Sequence, residues 1–376
     1  MTEFLLAPSP RPTGSNLGDG MHLNGLPAIG MPRVIRDQKQ PSRRGFLRIV
    51  AGAAVVPAVA GGVRALAPRS KRYDWQLEVM GALSELALWH DDPAVASRTI
   101  DQVRSEVARL DGIFSLYRDD SEISRLNRDG FLDNPSRELR DLLSAGRQFG
   151  ELSGGAFDIS VQPLWELYAA HFWTGTDKSA DIDAAARGVA ERLVDYRLID
   201  VGRRRITLGR PGMGVTLNSI GQGFVDDRIA DMLGEQGVTH VYADLGEIRL
   251  IGDDPDGRPW RIGLRDPKDQ VHVGRTLDLE DIGLAVSGGY GTPFEETGRY
   301  HHIFDPRTGL SADKMTAIAV TAPSAMIANG LATSIYVSGR EHAAKILAAY
   351  PGARAVITTA DGEWLGSQPD GKLAAM

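Results

Sequence analysis

The stretch at residues 300–309, with the sequence YHHIFDPRTG, constrains the local fold more than any other part of the chain. Asp305 precedes a proline, and a residue in that position is pushed out of the helical region. Gly309 offers a position where a positive φ angle costs little. The stretch is therefore predicted to be a rigid loop after a strand that presents His301 and His302. A well-capped β-turn with a hydrogen-bonded core histidine is the purely structural alternative.

Composition narrows the kinds of site that the chain can carry. The 376 residues include no cysteine, which excludes disulfides, thiolate metal sites, cysteine nucleophiles and a lipid-anchored amino-terminal cysteine. The formal net charge of −7 argues against a nucleic-acid-binding surface. Apolar residues make up 42% of the chain, which is enough for a sizeable core in one large domain or two.

The amino-terminal part of the chain is predicted to direct export. Residues 1–40 are rich in Pro, Gly, Asn and Ser without periodicity, which predicts a disordered extension. Residues 41–67 combine the pair Arg43 and Arg44 with a short apolar run and a final A-x-A site, a pattern that resembles a twin-arginine signal peptide. The apolar run is shorter than the ~20 residues that a membrane span needs.

The mature protein is accordingly expected in the periplasm, as a single domain over residues 68–376. Because the charged region before the arginine pair is unusually long for a signal peptide, we hypothesise that Met31 is the natural start.

Hydrophobic periodicity predicts both helices and strands in this domain. Strands are expected over 73–89, 198–208 (as a hairpin), 238–252, 260–264, 276–279, 317–321 and 354–359. Helices are expected over 94–114, 121–127, 135–152, 176–196, 324–335 and 341–349, and residues 215–237 begin as a strand and continue as a helix.

Two loops rich in small residues are candidates for contact with a ligand. Residues 153–160 follow a helix, and small residues let a backbone approach a ligand closely. Residues 215–224 lead into a helix amino terminus, where free N–H groups and the dipole suit a phosphate. Their spacing matches neither the P-loop nor the dinucleotide fingerprint, and helix–sheet packing explains the glycines about as well.

Six stretches, taken in order, resemble the FAD:protein FMN transferase family, the ApbE-type flavin transferases. The resemblance spans roughly residues 77–357 and implies an α+β fold of mixed sheets with packed helices, in the T-fold-like ApbE architecture. The matching stretches are 80–81, 114–127, 155–158, 220–227, 287–309 and 328–333.

The resemblance also implies an activity. Family members are exported, bind FAD and usually Mg²⁺, and attach FMN through a phosphoester to a Thr or Ser of a partner flavoprotein, with release of AMP. The acceptor is therefore expected to be an exported or membrane flavoprotein. Its identity and the oligomeric state of this chain are left open by the sequence.

Individual roles follow from the same resemblance. His302 is implied as the catalytic residue beside the pyrophosphate, whereas His301 is expected to pack or to face solvent. The implied FAD-binding residues are Met80, Tyr117, Ala156, Phe157, Asp158, Thr216, Gln222 and Ile303. The implied metal ligands are Ser219, Asn329 and Thr333, and the last two lie four residues apart on one helix face.

The sequence departs from the family pattern at three of these positions. Thr216 replaces an acid, Gln222 replaces a phosphate-facing lysine, and Asn329 replaces the metal-binding aspartate. Asn keeps an oxygen ligand but removes a full charge, so weaker magnesium binding is expected. The Thr and Gln variant resembles the branch that services the membrane flavoprotein of nitrous oxide respiration. An FAD-binding module, or an FAD pyrophosphatase that uses water as acceptor, is the alternative function.

Overall fold

The computed structural model describes residues 53–55, 71–175 and 181–376. The predicted extension, and all of the predicted signal peptide except Ala53–Val55, lie outside the described residues. The backbone of Ala53–Val55 (β1) pairs antiparallel with a strand at Trp260–Asp266. No helix in the described ranges is both long enough and apolar enough to cross a membrane.

A nine-stranded antiparallel sheet organises the described fold. In spatial order its strands are β17 (Leu373–Ala375), β16 (Trp364–Ser367), β15 (Arg354–Thr358), β14 (Ala317–Ala322), β11 (Gly283–Gly288), β8 (Ile248–Ile251), β7 (Val241–Asp244), β3 (Ala82–His90) and β2 (Lys71–Val79). The turn between β2 and β3 consists of Met80 and Gly81, both with positive φ angles of 49° and 83°.

Helices cover one face of this sheet, where the largest hydrophobic cluster lies. Their bounds are α1 (Pro93–Phe114), α2 (Glu122–Asp129), α3 (Arg137–Leu152), α4 (Gln162–Ala169), α5 (Ala184–Glu191), α6 (Gly221–Glu235), α7 (Ala325–Ser338) and α8 (Ala343–Leu347). Helices α1, α6 and α7 contact the sheet directly, and α3 packs on α7.

A second layer of strands covers the opposite face. Strands β9 (Trp260–Asp266) and β10 (Asp269–Leu279) pair antiparallel. The Trp260 ring packs 5.3 Å from that of Trp89 on β3, and Ile262 and Leu264 are buried beside Leu250. The remaining strands are β4 (Phe131–Asp133), β5 (Ile199–Val201), β6 (Arg205–Leu208), β12 (Phe304–Asp305) and β13 (Leu310–Ser311).

The expected α+β fold is confirmed, with several local errors. Residues 73–89 form the two strands β2 and β3 instead of one, because the chain turns at Met80 and Gly81. Residues 238–252 form the two strands β7 and β8 instead of one, because Gly246 has a φ angle of 127° and turns the chain. Residues 215–220 form no strand before α6. The hairpin expected over 198–208 is confirmed, and the helix expected over 324–335 is α7, whose amino terminus is capped by Ser324. The carboxy-terminal strands β16 and β17 were not predicted.

Helices α6 and α7 cross closely at Gly223, and this contact generates a stability prediction. A Cβ atom at Gly223 would lie 2.6 Å from the carbonyl carbon of Ala325 and 2.7 Å from the Met326 nitrogen. Gly223→Ala should therefore lower the free energy of unfolding by roughly 1–3 kcal/mol, because overpacking displaces α7. In the same helix, a Cβ at Gly234 would meet nothing within 4 Å. Gly234→Ala should raise that free energy by ~0.5–1 kcal/mol. Urea unfolding of both variants checks the prediction, and equal effects would contradict it.

Candidate active site

Two neighbouring carboxylates on α6, Asp226 and Asp227, position the backbone segments that carry the central residues of the candidate site. Asp226 is fully buried and accepts backbone N–H groups from Leu245 at 3.0 Å and Glu247 at 3.1 Å. Burial raises the pKa of Asp226 well above its usual range, and the two N–H groups oppose that rise. The carboxylate therefore fixes the tight turn between β7 and β8, which carries Glu247.

Asp227 points the other way and caps α7. It accepts the Ala325 N–H at 2.8 Å and the Met326 N–H at 3.0 Å, and it also bonds the Ser324 hydroxyl. These groups include donors of the first helical turn, which have no partner within the helix. One turn of α6 thus positions both the Glu247 turn and the start of α7.

Glu247 and Asn329 meet between these two elements. Both side chains are 4% exposed, and the Asn329 amide donates to Glu247 Oε1 at 2.6 Å. Their second oxygens, Glu247 Oε2 and Asn329 Oδ1, are buried without a hydrogen-bond partner. Burial and the nearby Asp244 carboxylate raise the pKa of Glu247 well above its usual range, whereas the Val286 backbone and the Asn329 amide oppose the rise.

The other predicted metal ligands are Thr333 and Ser219, and Gln222 is a predicted FAD-binding residue at the start of α6. Thr333 lies one turn along α7 from Asn329, and its hydroxyl is 3.4 Å from that of Ser287 at the end of β11. Gln222 is buried against Gly246, where an added Cβ would lie 2.5 Å from the Gln222 side chain. Ser219 is half-buried in the turn that leads into α6.

Met80 and Tyr117 form a surface beside the start of α6. The Met80 N–H donates to Asp111 at 2.9 Å, which holds the β2–β3 turn on α1. A Cβ at Gly221 would lie 3.2 Å from the Met80 methyl group, so this turn reaches the start of α6. The Tyr117 ring covers Gly81 and remains 57% exposed, so it is open to stacking.

The side chains of Ala156, Phe157 and Asp158 pack or form hydrogen bonds within the protein, so this loop offers mainly backbone groups to a ligand. Phe157 is 2% exposed and packs 5.4 Å from the ring of Phe149, and Ala156 is also buried. Both carboxylate oxygens of Asp158 are used within the protein. Oδ1 accepts the Ser160 N–H at 2.7 Å and the Ser160 hydroxyl at 2.6 Å. Oδ2 accepts the backbone N–H of Tyr196 at 3.0 Å. Burial raises the pKa of Asp158.

This loop lies beside the segment that leads into α6. The backbone N–H of Thr216 donates to the Ile159 carbonyl at 2.8 Å, and the Thr216 hydroxyl accepts the Asn218 N–H at 3.2 Å. The two small-residue loops of the sequence are thus neighbours.

His301 is a packing residue. It is 5% exposed, its Nε2 lies 2.9 Å from the Ala312 carbonyl, and its Nδ1 accepts the Ile303 N–H at 3.3 Å. This arrangement requires the neutral tautomer with the proton on Nε2. Burial lowers the pKa of His301 to about 4.

His302 has a different environment. It is half-buried, and its Nδ1 lies 3.3 Å from the Thr292 carbonyl, so the Nδ1–H tautomer is favoured. Nε2 then carries the lone pair, and no described residue hydrogen-bonds to it. Burial, with a smaller contribution from His301, lowers the pKa of His302 to about 4, so the ring is neutral near pH 7. The neighbouring Ile303 is buried.

An aromatic cluster fixes the hairpin that carries both histidines. The Tyr168 ring lies 4.8 Å from that of Phe304, and its hydroxyl donates to the Gly309 carbonyl at 2.8 Å. The Tyr300 ring packs 5.0 Å from Phe172, and its hydroxyl donates to Asp181 at 2.6 Å. Gly309 has a φ angle of 63°, which confirms the predicted positive-φ turn.

Comparison with known proteins places this arrangement in a family. The sequence matches the model of the ApbE family over residues 80–357, which is more than half of the chain and contains all the site residues described above. The chain belongs to the ApbE family.

Two similar proteins, each named FAD:protein FMN transferase, come from Vibrio cholerae and Haemophilus influenzae. The first is 32% identical over 263 residues, covering 66% of this chain and 75% of that protein. The second is 29% identical over 267 residues, covering 67% and 76%.

Solved structures of the family agree with this fold. The flavin transferase ApbE from Vibrio cholerae superposes with a TM-score of 0.69 at 26% identity, covering 80% of this chain and 98% of that one. The apo form of the Pseudomonas stutzeri flavinyl transferase ApbE gives 0.67 at 25% identity, covering 81% and 98%.

The oxygen atoms at Glu247, Asn329 and Thr333 fit a hard divalent cation. Magnesium prefers carboxylate, amide and hydroxyl oxygens, and two of the oxygens present have no protein partner. Within the ranges that the structure describes, no group of three or more His, Asp or Glu is placed to hold a metal.

The buried state of His301 leads to a prediction for acid stability. Its pKa is about 4 in the fold against 6.5 ordinarily, so only the unfolded chain takes up the proton between these values. The free energy of unfolding should therefore fall as the pH drops from 6.5 towards 4, by on the order of 2–3 kcal/mol for this group.

His301→Gln keeps a donor for the Ala312 carbonyl without the titration, so this variant should lose that part of the pH slope. Urea unfolding at pH 7 and pH 4.5 provides the measurement. Parallel slopes for His301→Gln and the wild type would show that His301 is not the source.

Proposed function

We propose that this chain is an exported FAD:protein FMN transferase. It joins FMN from FAD to a Thr or Ser hydroxyl of a partner flavoprotein and releases AMP. The observation that carries the proposal is the family match, because residues 80–357 contain the Met80 turn, the Glu247–Asn329 pair and the His302 hairpin.

The proposed FAD site follows the contacts between these elements. The exposed Tyr117 ring beside Met80 offers a flat surface for an aromatic ring of FAD. The loops at 153–160 and 215–220 offer backbone groups to the pyrophosphate. A cation bound at Asn329 and Thr333 would neutralise phosphate charge.

The proposed reaction needs one proton transfer by the protein. The acceptor oxygen forms a bond to the FMN phosphorus, the bond from that phosphorus to the bridging oxygen breaks, and AMP leaves with the bridging oxygen. His302 Nε2 accepts the hydroxyl proton and then releases it to AMP or water. Such phosphoryl transfer depends mainly on positioning and charge neutralisation. The contact of Nδ1 with the Thr292 carbonyl leaves the lone pair on Nε2, the atom that accepts the proton.

The role of His302 can be tested by substitution. His302→Ala should lower flavin transfer by roughly 10²–10⁴-fold while FAD binding is retained, because the residue supplies a proton acceptor and little contact area. The assay incubates the enzyme with FAD, Mg²⁺ and a candidate acceptor, and it measures in-gel flavin fluorescence together with AMP and FMN.

The same assay separates the alternatives. His272→Ala, on the exposed strand β10, is the matched control and should transfer at the wild-type rate. Equal losses of FAD binding and transfer in His302→Ala would make His302 a ligand-packing residue. AMP with free FMN and no labelled acceptor would favour a pyrophosphatase, and bound FAD without any product would favour a binding module.

Export by the twin-arginine route is part of the proposal and rests on the sequence of residues 41–67. Because a receptor reads the arginine pair, Arg43→Lys with Arg44→Lys should leave the full-length chain in the cytoplasm. Cell fractionation with immunoblotting measures this, and a Lys-to-Arg change elsewhere in the chain controls for expression. A mature form of normal abundance in the periplasm would rule out this route.

A further inference from the structure

The Glu247–Asn329 pair carries an inference beyond the residues that the family resemblance assigns. Both side chains are 4% exposed, and they are joined by a single hydrogen bond of 2.6 Å. The remaining oxygen of each one, Oε2 of Glu247 and Oδ1 of Asn329, is a buried acceptor without a partner. An unpaired buried acceptor is destabilising, and an unpaired buried carboxylate is more so. Two such atoms on one contacting pair call for a donor or a cation.

No basic side chain compensates the carboxylate. In residues 71–175 and 181–376, Glu247 forms no ion pair with Lys or Arg, and the charged group that acts on it most is the like-charged Asp244. The nearest arginine in sequence, Arg249, instead pairs with Asp227 at 3.6 Å. A buried carboxyl group in such surroundings either holds a proton or coordinates a cation.

We propose that Glu247 is a ligand of the divalent-cation site and supplies the carboxylate that Asn329 lacks. The ligand set consists of Glu247 Oε2, Asn329 Oδ1 and the Thr333 hydroxyl, with the Ser287 hydroxyl 3.4 Å from the latter. All are hard oxygen donors of the type that Mg²⁺ and Mn²⁺ prefer. The inference rests on the proposed function only in that this function requires such a cation.

The turn that carries Glu247 is suited to hold a ligand in place. Asp226 accepts two backbone N–H groups of the turn, and Asp227 fixes the first turn of the helix that carries Asn329. Side chains of α6 therefore position both the turn that carries Glu247 and the helix that carries Asn329. A ligand set held in this way loses little entropy when the ion binds.

The test measures cation binding directly on the purified chain without FAD. Mn²⁺ binding is followed by electron paramagnetic resonance and Mg²⁺ binding by calorimetry. Glu247→Gln keeps the shape and the acceptor for the Asn329 amide but removes the charge, so both dissociation constants should rise by ~10-fold or more. Glu85→Gln removes a nearby exposed carboxylate without touching Asn329, and it should change both constants by less than ~2-fold.

A charge exchange provides the second variant. Glu247→Gln combined with Asn329→Asp moves the carboxylate across the same contact, and Mn²⁺ affinity should return to within ~3-fold of the wild type. Unchanged Mn²⁺ affinity in Glu247→Gln would overturn the inference and leave a water-bridged structural pair. A folded exchange variant that fails to bind Mn²⁺ would also overturn it.

The transfer assay on the same proteins separates this inference from the proposed function. A wild type that labels its acceptor while Glu247→Gln keeps its Mn²⁺ affinity would refute only the ligand role of Glu247. A wild type that binds Mn²⁺ through Glu247 but neither releases AMP nor labels an acceptor would refute only the transferase proposal.

Discussion

The candidate site depends on two adjacent carboxylates that leave α6 in different directions. Asp226 holds the backbone of the β7–β8 turn, and Asp227 holds the first backbone groups of α7. Because Gly223 has no side chain, α6 and α7 approach closely enough for these contacts to form. Glu247 and Asn329 can then meet in the interior, where neither is accessible to bulk water. The relative position of Glu247 and Asn329 is thus set largely by hydrogen bonds from backbone groups to Asp226 and Asp227.

Much of the fold is predictable from local sequence signals. Alternating residues over 73–89 indicated strand on both sides of Met80 but not the turn that divides it into β2 and β3, and apolar spacing indicated α1 with bounds almost unchanged. The failure at 238–252 has a physical cause. Its alternation continues through the Asp244–Glu247 stretch, so periodicity alone cannot detect a turn stabilised by a carboxylate some 20 residues earlier. Strands β16 and β17 are short and lie at one edge of the sheet. Strand β16 pairs with β15, and β17 pairs with β16, so pairing provides the order that their own sequences lack.

The site is predictable only in part, and for a similar reason. Asn329 and Thr333 share a helix face by spacing, and the tautomer of His302 agrees with the proposed base. Glu247 was not singled out as a site residue, because its partner Asn329 lies 82 residues away and no local pattern joins them. The available signal for Glu247 was the sequence Asp-Leu-Gly-Glu at 244–247, in which a glycine interrupts an alternating segment. Phe157 and Asp158 were expected to line the FAD pocket, yet their side chains are largely used by Phe149 and by the Ser160 turn.

The pairing of β3 with β7 has a consequence for the order of assembly. Glu85 pairs with Asp244, and between them the described part of the chain forms six α-helices and a small sheet. Contacts between residues so distant in sequence form slowly, because the chain entropy of the long loop is lost before the pairing stabilises the sheet. This pairing helps to bring the turn at Met80 to the other site residues, and α7 follows later in the sequence. A chain that is still being synthesised therefore lacks some of the elements that carry the site residues. These elements come together only when the polypeptide is complete.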